Sequence, residues 1–400
     1  MSCVAFQSIF CLHQGSQLRE RRKDILRVLF SRRAPAFVDV SGFLGLPPIM
    51  MSRPRVISLL KTGARGFHTT PSPRTRHLMT IGDLSKEEFT QLVRNAASHK
   101  KAVKSGNAPQ VLSSGLLGKT VAMMFSKRST RTRVSTEAAV AIMGGHPMFL
   151  GKDDIQLGVN ESLYDTSKII SSMTSCMVAR VGPHSDVTGL TEGSTVPVIN
   201  ALSNDFHPLQ TIADFLTIHE AFPPSPGSSD LVRPGLKIAW VGDSNNVLFD
   251  LAIASMKLGV QIAVASPTGY TIPKDMEKFI RSQAEGVDRP GQLDLHTKPA
   301  DAIKNADILV TDTWVSMGQE EETKKRLQAF EGFQITNDLA AKGGAKDDWK
   351  FMHCLPRHKE EVDDAVFYGP RSLVFPEGEN RLWAAVAALE AFVVNKGRII

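Results

Sequence analysis

From about residue 78 the chain alternates short apolar runs of strand character with longer segments of helical period, and the pattern runs, breaks and starts again. KTVAMMF, HPMFL, CMVARV and VPVINA are the strand-like runs of the first pass. Between and around them, DLSKEEFTQLVRNAASHKKAV, STRTRVSTEAAVAIMGG, NESLYDTSKIISSM and HPLQTIADFLTIHEAF read as helices. FPPSPGSSDLVRPG (222–235), rich in Pro, Ser and Gly, interrupts the pattern as a linker or surface insertion. LKIAWVG, VQIAVASP, ADILVTDTW, FQITND and KFMHCLP then read as strands and NNVLFDLAIASMKLG as a helix, with a long helix-rich segment before ADILVTDTW. Strands separated by helices are joined by crossovers, which predicts parallel sheets. The expected fold is α/β, with two lobes (78–221 and 236–378), each a parallel sheet flanked by helices. The last segment, 379–400, contains NRLWAAVAALEAFVV, a helix apolar over much of its surface that must dock elsewhere.

Local signals fix several helix ends. Ser85 and Glu88 form a capping box before Phe89, Leu92, Val93 and Ala96. Ser129 or a neighbour caps the STRTR helix, and Gly144 and Gly145 end it.

Charge is unevenly spread. Residues 1–77 hold thirteen Lys/Arg and three Asp/Glu, whereas the rest holds thirty-four and thirty-eight, so a basic front precedes a mildly acidic body. That distribution removes the support that a net charge of +6 gives to nucleic-acid binding. MSRPRVISLLKTGARGFHTTPSPRTRH, from Met51, has six Lys/Arg, no acid, several hydroxyls and a short apolar patch. This is the composition of a mitochondrial transit peptide, with Arg65 two residues before Phe67 as a cleavage signal. Residues 1–50 contain Glu20, Asp24 and Asp39 and read as an upstream extension, with Met51 a second candidate start beside Met1. No uninterrupted apolar run approaches ~18 residues, so no membrane span is expected. The cysteines, Cys3, Cys11, Cys176 and Cys354, match neither a disulfide scaffold nor a zinc site.

FSKRSTRTR carries four cations and four hydroxyls where a strand meets a helix. A helix start offers free N–H groups and the positive end of the dipole. Ser129, Thr130 and Thr132 add hydroxyl donors, and Arg131 a bidentate fork. A capped, solvated helix start is the plainer alternative, but cations there oppose the dipole unless an anion offsets them. Arg133 and Glu137, at i and i+4, form an ion pair that serves structure. Upstream, SSGLLGKT ends like a P-loop, but Ser113 stands where that motif needs glycine and GKT precedes a strand. His207 and Gln210 in FHPLQ share a face at a helix start, a feature that a satisfied core histidine also explains. Asp312 in DTWVSMG and Cys354 in MHCLPRH follow strands, where ligand sites of α/β sheets gather. VGDSNNV stands where a dinucleotide fingerprint would, without its glycines, and points to side-chain recognition instead.

Together STRTR, HPLQ, SMG and HCLPR, in this order and at these spacings, resemble the transcarbamylases, and within them the ornithine carbamoyltransferases, from about residue 78 to the C-terminus. The resemblance implies transfer of the carbamoyl group of carbamoyl phosphate to L-ornithine, giving citrulline for arginine biosynthesis or the urea cycle, with no cofactor and no metal. It assigns 78–221 to carbamoyl phosphate and 236–378 to ornithine, with the last helix crossing back to the first lobe. Ser129, Thr130, Arg131 and Thr132 hold the phosphate. Arg180, His207 and Gln210 bind the carbamoyl end, with Arg381 in ENRLW closing over it and Cys354 and Leu355 completing the HCLP loop. Asn246, Asp312, Ser316 and Met317 contact ornithine. Cys354, Asp312, Arg180 and His207 carry the chemistry, Cys354 positioning the amine or accepting its proton. A homotrimer is implied, with Gln156 in DDIQLG reaching a neighbouring subunit's site. Import machinery reading the basic front, a matrix location, no nucleic acid and no membrane insertion complete the expectation. The rivals are a transcarbamylase for another amine and a non-catalytic relative.

Overall fold

The computed structural model describes residues 75–155, 158, 161–315 and 320–400. The targeting segment up to residue 74 and the expected site residues Gln156, Ser316 and Met317 lie outside them.

In the first half, α1 (Lys86–Lys104) and α2 (Gln110–Ser114) precede β1 (Thr120–Phe125), α3 (Thr130–Ile142), β2 (His146–Gly151), α4 (Leu163–Met173), β3 (Cys176–Arg180), α5 (His184–Gly193), β4 (Val198–Leu202) and α6 (Pro208–Ala221). The second half runs β5 (Lys237–Val241), α7 (Asn246–Leu258), β6 (Gln261–Ala265), α8 (Lys274–Ser282), β7 (Gln292–His296), α9 (Pro299–Ile303) and β8 (Ile308–Thr311). It ends with α10 (Thr323–Ala329), α11 (Asn337–Gly343), β9 (Lys350–His353), α12 (Asp364–Phe367) and α13 (Val374–Leu389). Both sheets are parallel, in the orders β2-β1-β3-β4 and β7-β6-β5-β8-β9. Residues 222–235 run between them without helix or strand, held by Arg94, whose guanidinium donates to the carbonyls of Ser228, Ser229 and Asp230.

The two-residue period of a strand divides the core. Val121, Met123 and Phe125 of β1 and Ile238 and Trp240 of β5 face one shared core. Ala122 and Met124 face a separate cluster behind the first sheet, and Ala239 and Val241 one behind the second. The apolar C-terminal helix α13 packs on α1, α3 and α6 of the first half and adds Trp383 through Leu389 to the shared core. This is the docking its composition demands.

Two strand readings are corrected. FQITND is not a strand. Ile335 makes only an isolated bridge to Val362, and Thr336 caps α11, accepting from the Leu339 N–H at 3.0 Å. β7 was hidden in the helix-rich segment. As an edge strand with one fully buried residue, Leu293, it carries almost none of the apolar signal that marks central parallel strands. The local caps stand where expected. Ser85 and Glu88 form the capping box, Ser129 accepts from the Thr132 N–H, and Gly144 takes a left-handed φ of 76° after α3.

Candidate active site

Each sheet has a point where the chain reverses direction across it, between β1 and β3 and between β5 and β8. Crevices at the carboxyl ends of such strands are the ligand sites of open α/β sheets. Of the expected site residues, those that the structure describes gather there.

At the first crevice, β1 delivers the chain to α3, whose first turn contains no acid. Ser129 caps the helix at 3.3 Å, Thr132 is buried, and Thr130 is exposed. Arg131 takes no hydrogen bond or ion pair among the described residues. Arg133 turns outward, pairs with Glu137 at 2.9 Å and stacks on Phe149, which confirms its structural role. Arg180 ends the adjacent β3. Burial is the main cause that pushes its pKa down to about 10, and the nearby charges of Arg381 and Arg131 add to it. Three guanidinium groups therefore sit close enough to repel one another, with a helix N-terminus beside them.

His207, the residue before Pro208 at the start of α6, is buried and held well below the usual imidazole range by that burial, then by Arg381, Arg180 and Arg131. It is a neutral imidazole. Its Nε2 lies 3.4 Å from Arg381 Nη1, and a guanidinium only donates, so Nε2 accepts and Nδ1 carries the proton. Arg381 also donates to Gln210 Oε1 and, at 3.3 Å, to Thr132 Oγ1. The last helix thus delivers its arginine into the first half.

Gln210 is fixed from its other end. Its Nε2 donates to Asp214 Oδ1 at 2.7 Å and to Glu377 Oε1 at 3.0 Å. With carboxyl oxygens at one end and a guanidinium at the other, only one amide orientation satisfies the site, and the carbonyl oxygen faces Arg381. Glu377 Oε2 accepts from the His353 N–H at 2.9 Å. Burial first, and Asp214 second, push Glu377 well above the ordinary carboxyl range, and burial raises Asp214 to about 7. Both carboxyl groups therefore take up a proton more readily than an exposed acid does.

At the second crevice, Asp312 follows β8. Its Oδ2 accepts from Asn245 Nδ2 at 2.7 Å and its Oδ1 from the Cys354 thiol at 3.0 Å. Burial, then the charges of Asp312 and Glu377, hold the thiol well above its usual pKa. Cys354 is therefore a protonated donor to Asp312, and the expected role as proton acceptor does not fit. Asn246 does not reach Asp312. Its Nδ2 donates to the Ser203 carbonyl at 2.5 Å. Leu355 holds a left-handed φ of 63°, its N–H donating to His353 Nδ1 at 2.9 Å, while His353 Nε2 meets Glu361 at 3.3 Å. Asp312, His353 and Cys354 offer one ligand atom each within 4.8 Å of one another. Both His353 nitrogens and the thiol are already engaged in hydrogen bonds, the imidazole with the Leu355 N–H and Glu361 and the thiol with Asp312.

The sequence reading missed Asn245, Asp214, Glu377 and Asp250. Asn245 was visible in VGDSNNV as a second asparagine at a helix start, and it caps α7 by accepting from the Val247 and Leu248 N–H groups. The other three are acids inside apolar helices, a signal that names no partner.

Comparison with known proteins agrees with this arrangement. Residues 76–220 match the carbamoyl-P binding domain, and residues 234–392 the Asp/Orn binding domain, of aspartate/ornithine carbamoyltransferase. Mitochondrial ornithine carbamoyltransferase of Emericella nidulans is 69% identical over 325 residues, covering 81% of this chain and 90% of the relative. The crystal structure of a mitochondrial ornithine carbamoyltransferase from Coccidioides immitis superimposes with a TM-score of 0.77 at 65% identity, covering 82% of this chain and all of that one. The enzyme from Pyrococcus furiosus gives 0.72 at 41%, covering 80% and 97%. With both domains matched and the cationic crevice facing the Asp312–Cys354 crevice, this chain belongs to the aspartate/ornithine carbamoyltransferase family.

Proposed function

We propose that this protein is an ornithine carbamoyltransferase, moving the carbamoyl group of carbamoyl phosphate to the δ-amine of L-ornithine to give L-citrulline and phosphate. The observation that carries the reading is the division of labour between the crevices. One gathers Arg131, Arg180, Arg381 and the N-terminus of α3, which suits a phosphorylated dianion. The other offers the carboxylate of Asp312, which suits the cationic end of an amino acid.

Ser129, Thr130, Arg131 and Thr132 hold the phosphate. Arg180, His207, Gln210 and Arg381 surround the carbamoyl group, with Cys354 and Leu355 at its edge. Because Gln210 presents its carbonyl oxygen, it accepts from the carbamoyl NH2. Asn246, Asp312, Ser316 and Met317 take ornithine. The neutral amine attacks the carbonyl carbon, and the oxyanion that develops is stabilised by Arg180, Arg381, Thr132 and the Nδ1–H of His207. The C–O bond to phosphate then breaks, phosphate leaves with the bonding pair, and the proton lost by the attacking nitrogen passes to the departing phosphate.

The protein acts in the mitochondrial matrix, imported through its basic front; the mitochondrial names of the relatives support this. It assembles as a homotrimer, with Gln156 reaching a neighbour. Val134, Met148, Tyr164, Ile169 and Met173, exposed apolar side chains of the first half, supply surface for that assembly. Citrulline formation by the full chain from carbamoyl phosphate and ornithine tests the activity. Loss in Arg131→Ala and inactivity with aspartate support it, and a folded chain that makes no citrulline sinks it.

A further inference from the structure

Asp250, on the second turn of α7, is completely buried. Among the described residues no salt bridge reaches it, and Lys257 is the cation that feels its charge. Its Oδ1 accepts from the Thr80 hydroxyl at 2.6 Å and the Ile81 N–H at 2.9 Å, and its Oδ2 accepts from the N–H of His207 at 2.7 Å. An apolar residue would fill this helix position at lower cost, because burying a carboxyl group is unfavourable unless its partners justify it. One of those partners is the backbone of a residue whose imidazole lines the cationic crevice.

His207 needs such an anchor. Its φ of −140° and ψ of 63° are neither helical nor extended, and no side chain of its own segment caps α6. Asn246 stands one turn before Asp250, on the same face of α7. Its Nδ2 donates to the Ser203 carbonyl at 2.5 Å, while the Ser203 N–H donates to the Phe206 carbonyl at 2.9 Å. One face of α7 therefore grips the 203–207 turn at both ends, by its first carbonyl and its last N–H. Two turns further on, Lys257 donates to the carbonyls of Gly82, at 3.1 Å, and Leu84. The segment carrying Thr80 is itself laid along β4, with the Leu78 N–H donating to Val198 O at 3.0 Å and the Asn200 N–H to Leu78 O at 2.8 Å. β4 leads directly into the turn that ends at His207.

Resting on the functional reading above, we propose that Asp250 is a positioning residue for His207: from a helix of the ornithine half it fixes the backbone of the 203–207 turn and so sets the imidazole against the carbamoyl group. It touches no substrate and acts through the His207 amide.

The test uses the full chain. Asp250→Asn keeps the shape but turns one acceptor into an NH2 donor facing N–H groups. The expected result is a folded protein whose kcat/KM for carbamoyl phosphate, at saturating ornithine, falls by about tenfold to a hundredfold, the range that misplacing a reacting group costs. The KM for ornithine stays within about twofold of the wild-type value. Thr80→Val removes the hydroxyl bond to the same carboxyl group and leaves the His207 bond in place. It is expected to lower Tm and to change kcat/KM by less than about twofold. An Asp250→Asn protein with wild-type kinetics, or a Thr80→Val protein impaired as severely as Asp250→Asn, overturns the proposal. If Asp250→Asn does not fold, Asp250→Ser is measured in the same way, and failure of both to fold also overturns it, leaving a carboxyl group that serves the fold alone. A wild-type chain that makes no citrulline overturns the functional reading with it, whereas an active wild type beside an unimpaired Asp250→Asn overturns this proposal only.

Discussion

The two crevices solve opposite electrostatic problems. The first collects three guanidinium groups and a helix N-terminus around a histidine kept neutral. The second holds the carboxylate of Asp312 with donors that carry no charge, the Asn245 amide and the Cys354 thiol. The cationic crevice is drawn from distant parts of the chain: α3, the end of β3, the start of α6 and α13. The other is built at the ends of neighbouring strands of one sheet. A site for a dianion needs several cations that repel one another, and only separate, rigid elements hold them together without a bound anion. A site for an ammonium group needs one carboxylate and dipoles to orient it.

This contrast is best broken by removing charge from one crevice at a time. Arg180→Met should have the largest effect, a loss of about a thousandfold in kcat/KM for carbamoyl phosphate, if the cation acts where transition-state charge develops as proposed. Steady-state assays of citrulline at saturating ornithine measure it. Asp312→Ala should cost about a hundredfold, mostly in ornithine KM and kcat, with carbamoyl phosphate binding, followed by thermal shift, close to wild type. If Asp312→Ala weakens carbamoyl phosphate as much as Arg180→Met does, the crevices are not separable. Glu377→Ala should lose about tenfold to thirtyfold by freeing the Gln210 amide, and Glu377→Gln should recover most of it because it keeps the shape and an acceptor. Arg133→Ala should matter least: about 0.5 kcal/mol of stability by urea denaturation and activity within about twofold, as befits an exposed i,i+4 pair.

A pH series sharpens the same picture. The folded-state pKa of Asp214, about 7, and that of Glu377, well above the carboxyl range, exceed their unfolded values. Proton binding therefore favours the fold fully below the unfolded carboxyl pKa, near 4, and that contribution is lost as pH rises through about 7. Glu377→Gln carries no such proton. Its stability should gain on wild type between about pH 5 and 8. A constant gap in urea titrations would show that the pair holds no extra proton.

How much of this was legible in sequence follows from how far each contact reaches. The STRTR turn announces itself because cap, hydroxyls and cations are within five residues of one helix start. Central strands such as β3 read clearly because both faces are buried. β7 and FQITND did not, the first because an edge strand is mostly exposed, the second because β-favouring residues make one bridge and then a helix cap. Asp214 and Glu377 meet at the amide of Gln210, four and 167 residues away. Nothing local in FPEGENR says that its first glutamate is a partner for HPLQ. The motifs mark the groups that line the two crevices, while the groups that orient them are chosen by tertiary packing and leave only an acid in an apolar helix.

The placement of α13 bears on how the protein is made. Arg381 and the apolar face that closes the shared core lie on one helix, within the last twenty-seven residues of the chain. A ribosome that stops early, or a protease that trims the tail, removes the arginine and the packing together. A chain cut before this helix should therefore lose activity and stability in one step, not one after the other.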